Sequence, residues 1–184
     1  MRKLFRLIKG VIWLALVVGV LFVVVGYTLP GTIEVERHVV IKAPPEKVFA
    51  VIGHLRRFNE WSPWADMDAN AKFSFDGPET GTGQKMSWTS QNADLGSGAF
   101  SIVETAENQK VVGEFDYGAK GKATATMSLA AVDGGTGVTW GYWAPRPGLM
   151  ARWSGIFHES QVGADYEKGL AKLRGLVEKE AGSN

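Results

Sequence analysis

The sequence predicts an α+β protein: one antiparallel sheet curved around a C-terminal helix, preceded by a separate apolar helix. Three observations carry this reading. Residues 11–29, VIWLALVVGVLFVVVGYTL, contain no charged side chain. Residues 71–143 break into short segments rich in Val, Thr, Ser and Gly, with turn signals at close intervals. Near the C-terminus Tyr166, Leu170, Leu173 and Val177 recur at spacings of four, three and four, the single stripe of an amphipathic helix.

The first element is the apolar run. At about 1.5 Å per residue, a helix over 11–29 nearly crosses a hydrocarbon layer roughly 30 Å thick. A secretory signal usually has an apolar region of about 7–15 residues and a small-x-small cleavage site. This run is longer, and Gly26-Tyr27-Thr28-Leu29-Pro30 offers no good match. An uncleaved anchor is therefore expected ahead of a cleaved signal or a buried helix of a soluble protein. Arg2, Lys3, Arg6 and Lys9 precede the run without an acid, which favours a cytoplasmic N-terminus. The expectation is a single-pass protein of the plasma (inner) membrane. Residues 1–30 form the basic N-terminus and anchor, with the span at 11–29. Residues 31–184 form one domain on the extracytoplasmic side.

The first thirty residues hold four basic groups and no acidic ones. The remainder is left with 16 basic and 19 acidic, a net of −3. That balance argues against nucleic acid as a partner. There is no cysteine, so the domain depends on apolar burial rather than disulfides, and about 150 residues are enough for that.

Within the domain, TIEVERHVVIKA sets Ile33, Val35, Val39 and Ile41 against Glu34, Glu36, His38 and Lys42. Period two means a strand with one buried face. Pro44-Pro45 stops it and suits a helix start, and Val48, Phe49, Ile52 and Leu55 follow at helical spacing. LRRFNEW reads as a second short helix. Strands are expected near 71–75, 83–91, 98–105, 110–117, 122–132 and 136–143. Turns fall at Asp76-Gly77-Pro78, Leu95-Gly96-Ser97-Gly98, Glu107-Asn108 and Asp133-Gly134-Gly135. Short connections imply an antiparallel meander. PRPGL, residues 145–149, breaks the pattern; MARWSGIFHES is expected as a helical turn or two, followed by the long amphipathic helix ending at Gly182. Gly169 and Gly175 inside that helix each cost roughly 1 kcal/mol relative to Ala. Two readings are open for them: ordinary sequence drift, or close approach to a sheet or ligand.

Four segments, VVIKAPPEKVFAVI, FNEWSPWA, GTGQKMSW with GTGVTW, and VGADYEKGLAKLRGLVE, occur in an order and spacing that resemble the START-like, helix-grip superfamily. The branch is that of polyketide cyclases/dehydrases and lipid transport proteins (SRPBCC). The likeness spans about residues 33–180. It implies a seven-stranded sheet gripping the C-terminal helix, with a cavity between them that takes an apolar ligand. The anchor is a departure, since many relatives lack one.

No catalytic set emerges from the residues. His38, His54 and His158 lie far apart and suggest no metal site. A thiolate nucleophile is excluded, and no G-x-S-x-G elbow is present. GPETGTGQK departs from the phosphate-loop pattern, since Gln84 stands where Lys is needed; it reads as a turn entering a strand. No cofactor is expected. Glu104, Glu114 and Asp116 occupy strand segments, where alternation could aim one inward as a general acid or base; the plainer reading faces them to solvent.

Aromatic and large apolar residues are in surplus instead. Met86 with Trp88, Phe100 with Ile102, Met127 with Leu129, and Trp140 with Tyr142 each share a strand face. Together with Trp64, Tyr166 and Leu170 they form the candidate ligand-contacting set, each open to being core or cavity wall. In FNEWSPW, Phe58 and Trp61 share a helix face and are expected to plug the core. Trp64 follows Pro63 and is expected at the rim or lid of the cavity, with core or membrane-interface placement as alternatives. The resemblance makes a lipid or other hydrophobic small molecule the leading partner. A cyclase- or dehydratase-like enzyme using an inward carboxylate or Tyr142, and a non-catalytic envelope scaffold, are the alternatives.

Overall fold

A computed structural model describes residues 2–183. The period-two segments all become strands of one sheet. β1 (Thr32–Ile41) is followed by α2 (Pro45–Ile52), a 3-10 turn (Leu55–Arg57) and α3 (Phe58–Trp61). Then come β2 (Lys72–Asp76), β3 (Lys85–Thr89), β4 (Ser97–Ala106), β5 (Lys110–Asp116), β6 (Lys122–Val132) and β7 (Gly135–Pro145). The chain opens with α1 (Arg2–Thr28) and ends with α4 (Leu149–Ala181). The seven strands run β1-β7-β6-β5-β4-β3-β2, each antiparallel to its neighbours. Strands β2 to β7 form a meander, and β1 closes on the outer edge of β7. This is the helix-grip arrangement, with α4 lying across the concave face.

The curvature has local causes. The register of β4 against β5 slips between Ile102 and Glu104, the kind of bulge that bends a strand. Two glycines also make room for rings. A Cβ at Gly98 would meet the Trp88 indole at 2.7 Å, and one at Gly113 would overlap the ring of Phe100.

Helix α4 corrects one expectation. The chain after Pro147 is a single helix of 33 residues, not a turn or two followed by a shorter helix. Gly155 and Gly163 weaken local propensity there, but both face β1. A Cβ at Gly155 would touch Ile33, and one at Gly163 would collide with the Arg37 guanidinium. Packing on β1 and the Arg37–Glu167 ion pair at 2.7 Å hold the helix through its glycines. Gly169 and Gly175 divide between the two readings. A Cβ at Gly169 would lie 2.7 Å from Trp140 and 3.0 Å from Pro63, whereas Gly175 has nothing within 4 Å.

The C-terminal half of α4 closes the core. Tyr166, Leu170, Leu173 and Val177 are buried against the sheet and against α2 and α3. Its end is tied down by Glu178, which accepts the Lys42 amide at 2.9 Å, and by Glu180, which pairs with Arg57. Phe58 and Trp61 are buried with their rings edge to face at 5.0 Å, and Trp61 meets Trp140 at 5.2 Å. Gln84 is buried as a fastening. It accepts from the Leu55 amide (3.0 Å) and donates to the Gly53 (2.7 Å) and Gly81 (2.9 Å) carbonyls, joining the helical connection to the β2–β3 turn.

The N-terminal half of α4 meets α1. Trp153 stacks on Phe22 at 4.9 Å and donates to its carbonyl at 3.3 Å. Arg152 donates to the Tyr27 and Leu29 carbonyls, both at 3.0 Å, capping groups that a helix end leaves unsatisfied. Otherwise α1 presents its apolar side chains outward, and it is long and apolar enough to cross a membrane.

Candidate ligand-binding cavity

Between these two halves of α4 the sheet and helix stand apart. The space is a cavity of about 380 Å³, bounded by β3, β5, β7, α3, the middle of α4 and the 93–97 turn. That volume lies within the roughly 300–1,000 Å³ typical of small-molecule sites. Deeper in, the fold is filled. A void of only about 20 Å³ remains among Phe100, Met127, Trp140 and their neighbours.

Five of the eleven candidate residues line the cavity: Trp64, Met86, Trp88, Tyr142 and Tyr166. The other six do not. Phe100, Met127 and Trp140 surround the small void, and Ile102, Leu129 and Leu170 are packed in the core. The reason is the depth at which each strand meets α4. Met86 and Trp88 share a face with Phe100 across the ladder, but Phe100 sits under Phe58 and against Phe115 at 4.3 Å, sealed from the open space. Trp140 is covered by Tyr166, whose ring stacks on it at 3.7 Å.

Trp64 forms part of the wall. Its ring lies 6.1 to 6.3 Å from those of Phe58, Phe115, Trp140 and Tyr166. Its indole N–H donates to Asp165 of α4 at 3.3 Å, binding the segment after Pro63 to the helix. The FNEWSPW stretch thus places Phe58 and Trp61 in the core and Trp64 at the cavity.

Several lining residues carry signals the sequence reading passed over. Phe115 and Tyr117 lie two apart, in phase with buried Val111. Arg146 continues the even-numbered face of Trp140, Tyr142 and Ala144 beyond the end of β7. His158, Gln161, Val162 and Asp165 extend the helical stripe one and two turns before Tyr166. The strand carboxylates take the plainer reading: Glu104, Glu114 and Asp116 are exposed, with Glu104 paired to Lys110 and Asp116 to Lys122. Among the described residues no group of three or more His, Asp or Glu is placed to hold a metal.

Polar side chains also line the cavity, among them Asn59, Lys120, Lys122, Arg146, His158 and Gln161. The Tyr166 hydroxyl and the Arg146 Nε are buried with no hydrogen-bond partner among the described residues. Burial pushes the Tyr166 hydroxyl well above its ordinary range, and the neighbouring Tyr117 and Tyr142 add to the rise. Tyr117 is raised by burial and then by Tyr142, against a smaller opposing effect of Arg146. Tyr142 is raised by burial, with Arg146 opposing. Tyr117 and Tyr142, held protonated, can donate hydrogen bonds into the space, and neither is set up as a base.

A curved antiparallel sheet closed on one helix, with a hollow lined by aromatic and polar side chains between them, defines a helix-grip protein with a ligand-sized cavity. The chain belongs to the polyketide cyclase / dehydrase and lipid transport family, whose pattern matches residues 32–178. Solved structures share the fold at low identity. One is protein CV1439 from Chromobacterium violaceum (TM-score 0.58, 18% identity, 79% of this chain and 97% of that one). Another is the Aha1 dimer from Colwellia psychrerythraea (0.55, 16%, 79% and 96%). A third is the di-domain aromatase/cyclase StfQ of the steffimycin biosynthetic pathway (0.62, 12%, 82% and 52%). No curated protein matches the chain.

Proposed function

We propose that this protein is a membrane-anchored binding module that holds a lipid or other hydrophobic small molecule between its sheet and α4. The observation that carries the reading is the cavity of about 380 Å³ whose wall includes Trp64, Met86, Trp88 and Phe115. Family membership supports it, since the family includes lipid transport proteins. Residues 31–184 are the binding unit in this reading and residues 1–30 its tether.

The anchor is supported by α1 itself, whose apolar side chains have almost no protein to pack against. Such a surface is unfavourable in water and suits a bilayer. The basic residues Lys3, Arg6 and Lys9 favour an N-terminus in the cytoplasm and the domain on the other side of the inner membrane. A tether keeps the cavity close to the membrane and raises its encounter rate with lipid-dissolved ligands. The cyclase-like alternative has weaker support, because the strand carboxylates face solvent and the cavity carboxylate Asp165 is engaged by Trp64.

The test is native mass spectrometry of the full chain released from nonionic detergent after exposure to a membrane lipid extract. A retained small molecule of defined mass is expected, and it should be lost when Met86→Trp fills the hollow. Retention of nothing by the wild-type chain would overturn the reading.

A further inference from the structure

Arg146 stands on the cavity wall beside Tyr142, which its side chain engages, and no carboxylate among the described residues pairs with it. Its Nε is buried with nothing to donate to. The Tyr166 hydroxyl is in the same condition on a residue with no exposure at all. Tyr142 stands between them, its ring 6.1 Å from that of Tyr166. A buried donor left unmade is costly, and a buried guanidinium more so. The Tyr166 hydroxyl has no accessible surface, whereas the Arg146 side chain and Tyr142 both line the cavity, so an acceptor placed there would meet these two. The acids of the cavity cannot serve. Asp165 is held by Trp64 and lies 3.8 Å from Lys168, and Asp94 is on the 93–97 turn.

We propose that the part of the cavity lined by Arg146 is a subsite for an oxyanion, and that the ligand is an amphipathic acid with its head at Arg146 and Tyr142. The rest of the molecule lies along Trp64, Met86, Trp88 and Phe115. This rests on the binding reading above and narrows it to a ligand class. Guanidinium matches carboxylate and phosphate geometry through parallel N–H donors. Tyrosines that stay protonated keep donating to an anion instead of repelling it; burial holds Tyr117 and Tyr142 in that form. A cavity of about 380 Å³ is near the lower end of the small-molecule range, which suits one acyl chain or a small ring system as the apolar body. Carboxylate and phosphate heads share the required chemistry.

The test compares decanoate, decyl phosphate and decanol, three probes with the same tail. Each is added to the full chain in nonionic detergent, and retention is measured by native mass spectrometry. Wild type should retain the two anions on the order of 10- to 100-fold better than decanol, the ratio expected for charge-assisted hydrogen bonds out of water. Preference between decanoate and decyl phosphate then identifies the head group. Arg146→Gln should abolish the preference for the anions, read as the ratio of anion to decanol retention within the same variant. Tyr142→Phe should lower anion retention by a smaller factor in the same direction. Equal retention of all three probes by wild type, or an undiminished ratio of decanoate to decanol retention in Arg146→Gln, would overturn the subsite while leaving hydrophobic binding standing. Retention of none of the three overturns both.

Discussion

Replacing Gly169 and Gly175 separately with alanine should move stability in opposite directions. Both glycines lie within α4, and on helix propensity alone each substitution gains about 1 kcal/mol. At Gly175 nothing lies within 4 Å of the new methyl, so the gain should appear nearly whole. At Gly169 the methyl would sit 2.7 Å from Trp140 Cζ3 and 3.0 Å from Pro63 Cδ. Carbon atoms prefer roughly 3.5–4.0 Å, so the indole would have to retreat by close to 1 Å. It has nowhere to go: Trp140 is buried, with Tyr166 stacked on one side at 3.7 Å and Trp61 against it at 5.2 Å. Overpacking of this kind costs about 1–3 kcal/mol. The net for Gly169→Ala is then a loss of up to about 2 kcal/mol. Thermal unfolding of the full chain in detergent, followed by near-UV circular dichroism, reads this out. Each kcal/mol is worth roughly 2–4 °C for a chain of this size. Gly175→Ala should melt higher and Gly169→Ala lower. A rise in both would refute the reasoning, since it would mean that α4 does not ride on Trp140.

Three further outcomes are expected. Tyr166→Phe removes a buried hydroxyl that has no partner, so without ligand it should stabilise the fold by about 1–2 kcal/mol; a loss of similar size in the same melt would show that the hydroxyl is already satisfied. Stability should also fall as pH rises above about 10, where unfolded tyrosine ionises. Tyr117, Tyr142 and Tyr166 have raised folded values, so above that pH the unfolded chain binds fewer protons than the folded one and is favoured by the pH increase; below it the three contribute no slope. In a chain carrying Tyr27→Phe, absorbance at the tyrosinate band should therefore rise together with unfolding for these three, and a titration near pH 10 while that chain stays folded would contradict it. Finally, Phe157 is 78% exposed and Met150 70%, close to Trp153, which stacks on Phe22 of α1. In lipid nanodiscs, an environment-sensitive fluorophore at Phe157→Cys should be quenched by lipids labelled near the head group, and one at Asn108→Cys should not. Equal, water-like emission from both sites would show that this face stays clear of the bilayer.

The sheet was legible because alternation is a local property. The 122–132 strand matches the expected segment end to end, and the others differ by a few residues at their ends. Helix α4 was legible only in its second half, where Tyr166, Leu170, Leu173 and Val177 face one core. Its first half packs on β1 along one line and on α1 along another, so no single apolar stripe marks it. The candidate site was half legible for a related reason. Alternation gives the face on which Phe100 and Trp88 lie, but not how far along the sheet the helix touches down. Met86 and Trp88 remain open to the hollow, whereas Phe100 and Trp140 are sealed by Phe58 and Tyr166. Arg146 was hidden by the expectation that Pro145 ends the pattern; the side chain keeps the phase of β7 after its ladder has stopped.

Helix α4 is fixed at both ends, and this limits how a ligand can enter. At the C-terminal end Glu178 and Glu180 fasten it to Lys42 and Arg57, and Leu173 and Val177 are sealed in the core. At the N-terminal end Arg152 and Trp153 hold it to α1. Swinging the helix away would break both sets and expose the stripe between them, at a cost on the scale of the fold's whole stability. The opposite wall is held far more lightly. The 93–97 turn is supported by the hydrogen bonds of the Trp88 indole to the Leu95 carbonyl, the Ser90 amide to the Gly96 carbonyl and the Gly96 amide to the Asn92 carbonyl, with Ser90 to Asp68 and Asn92 to Met67 beside it, and the 62–67 segment by Trp64 to Asp165 and Lys172 to Asp66 and the Ser62 carbonyl. These are few, polar and partly exposed, the features of segments that open locally at small free-energy cost. Displacing the 93–97 turn would therefore break only a handful of hydrogen bonds and leave the grip of the sheet on α4 undisturbed, whereas displacing Trp64 would also undo its packing on Phe58, Phe115, Trp140 and Tyr166.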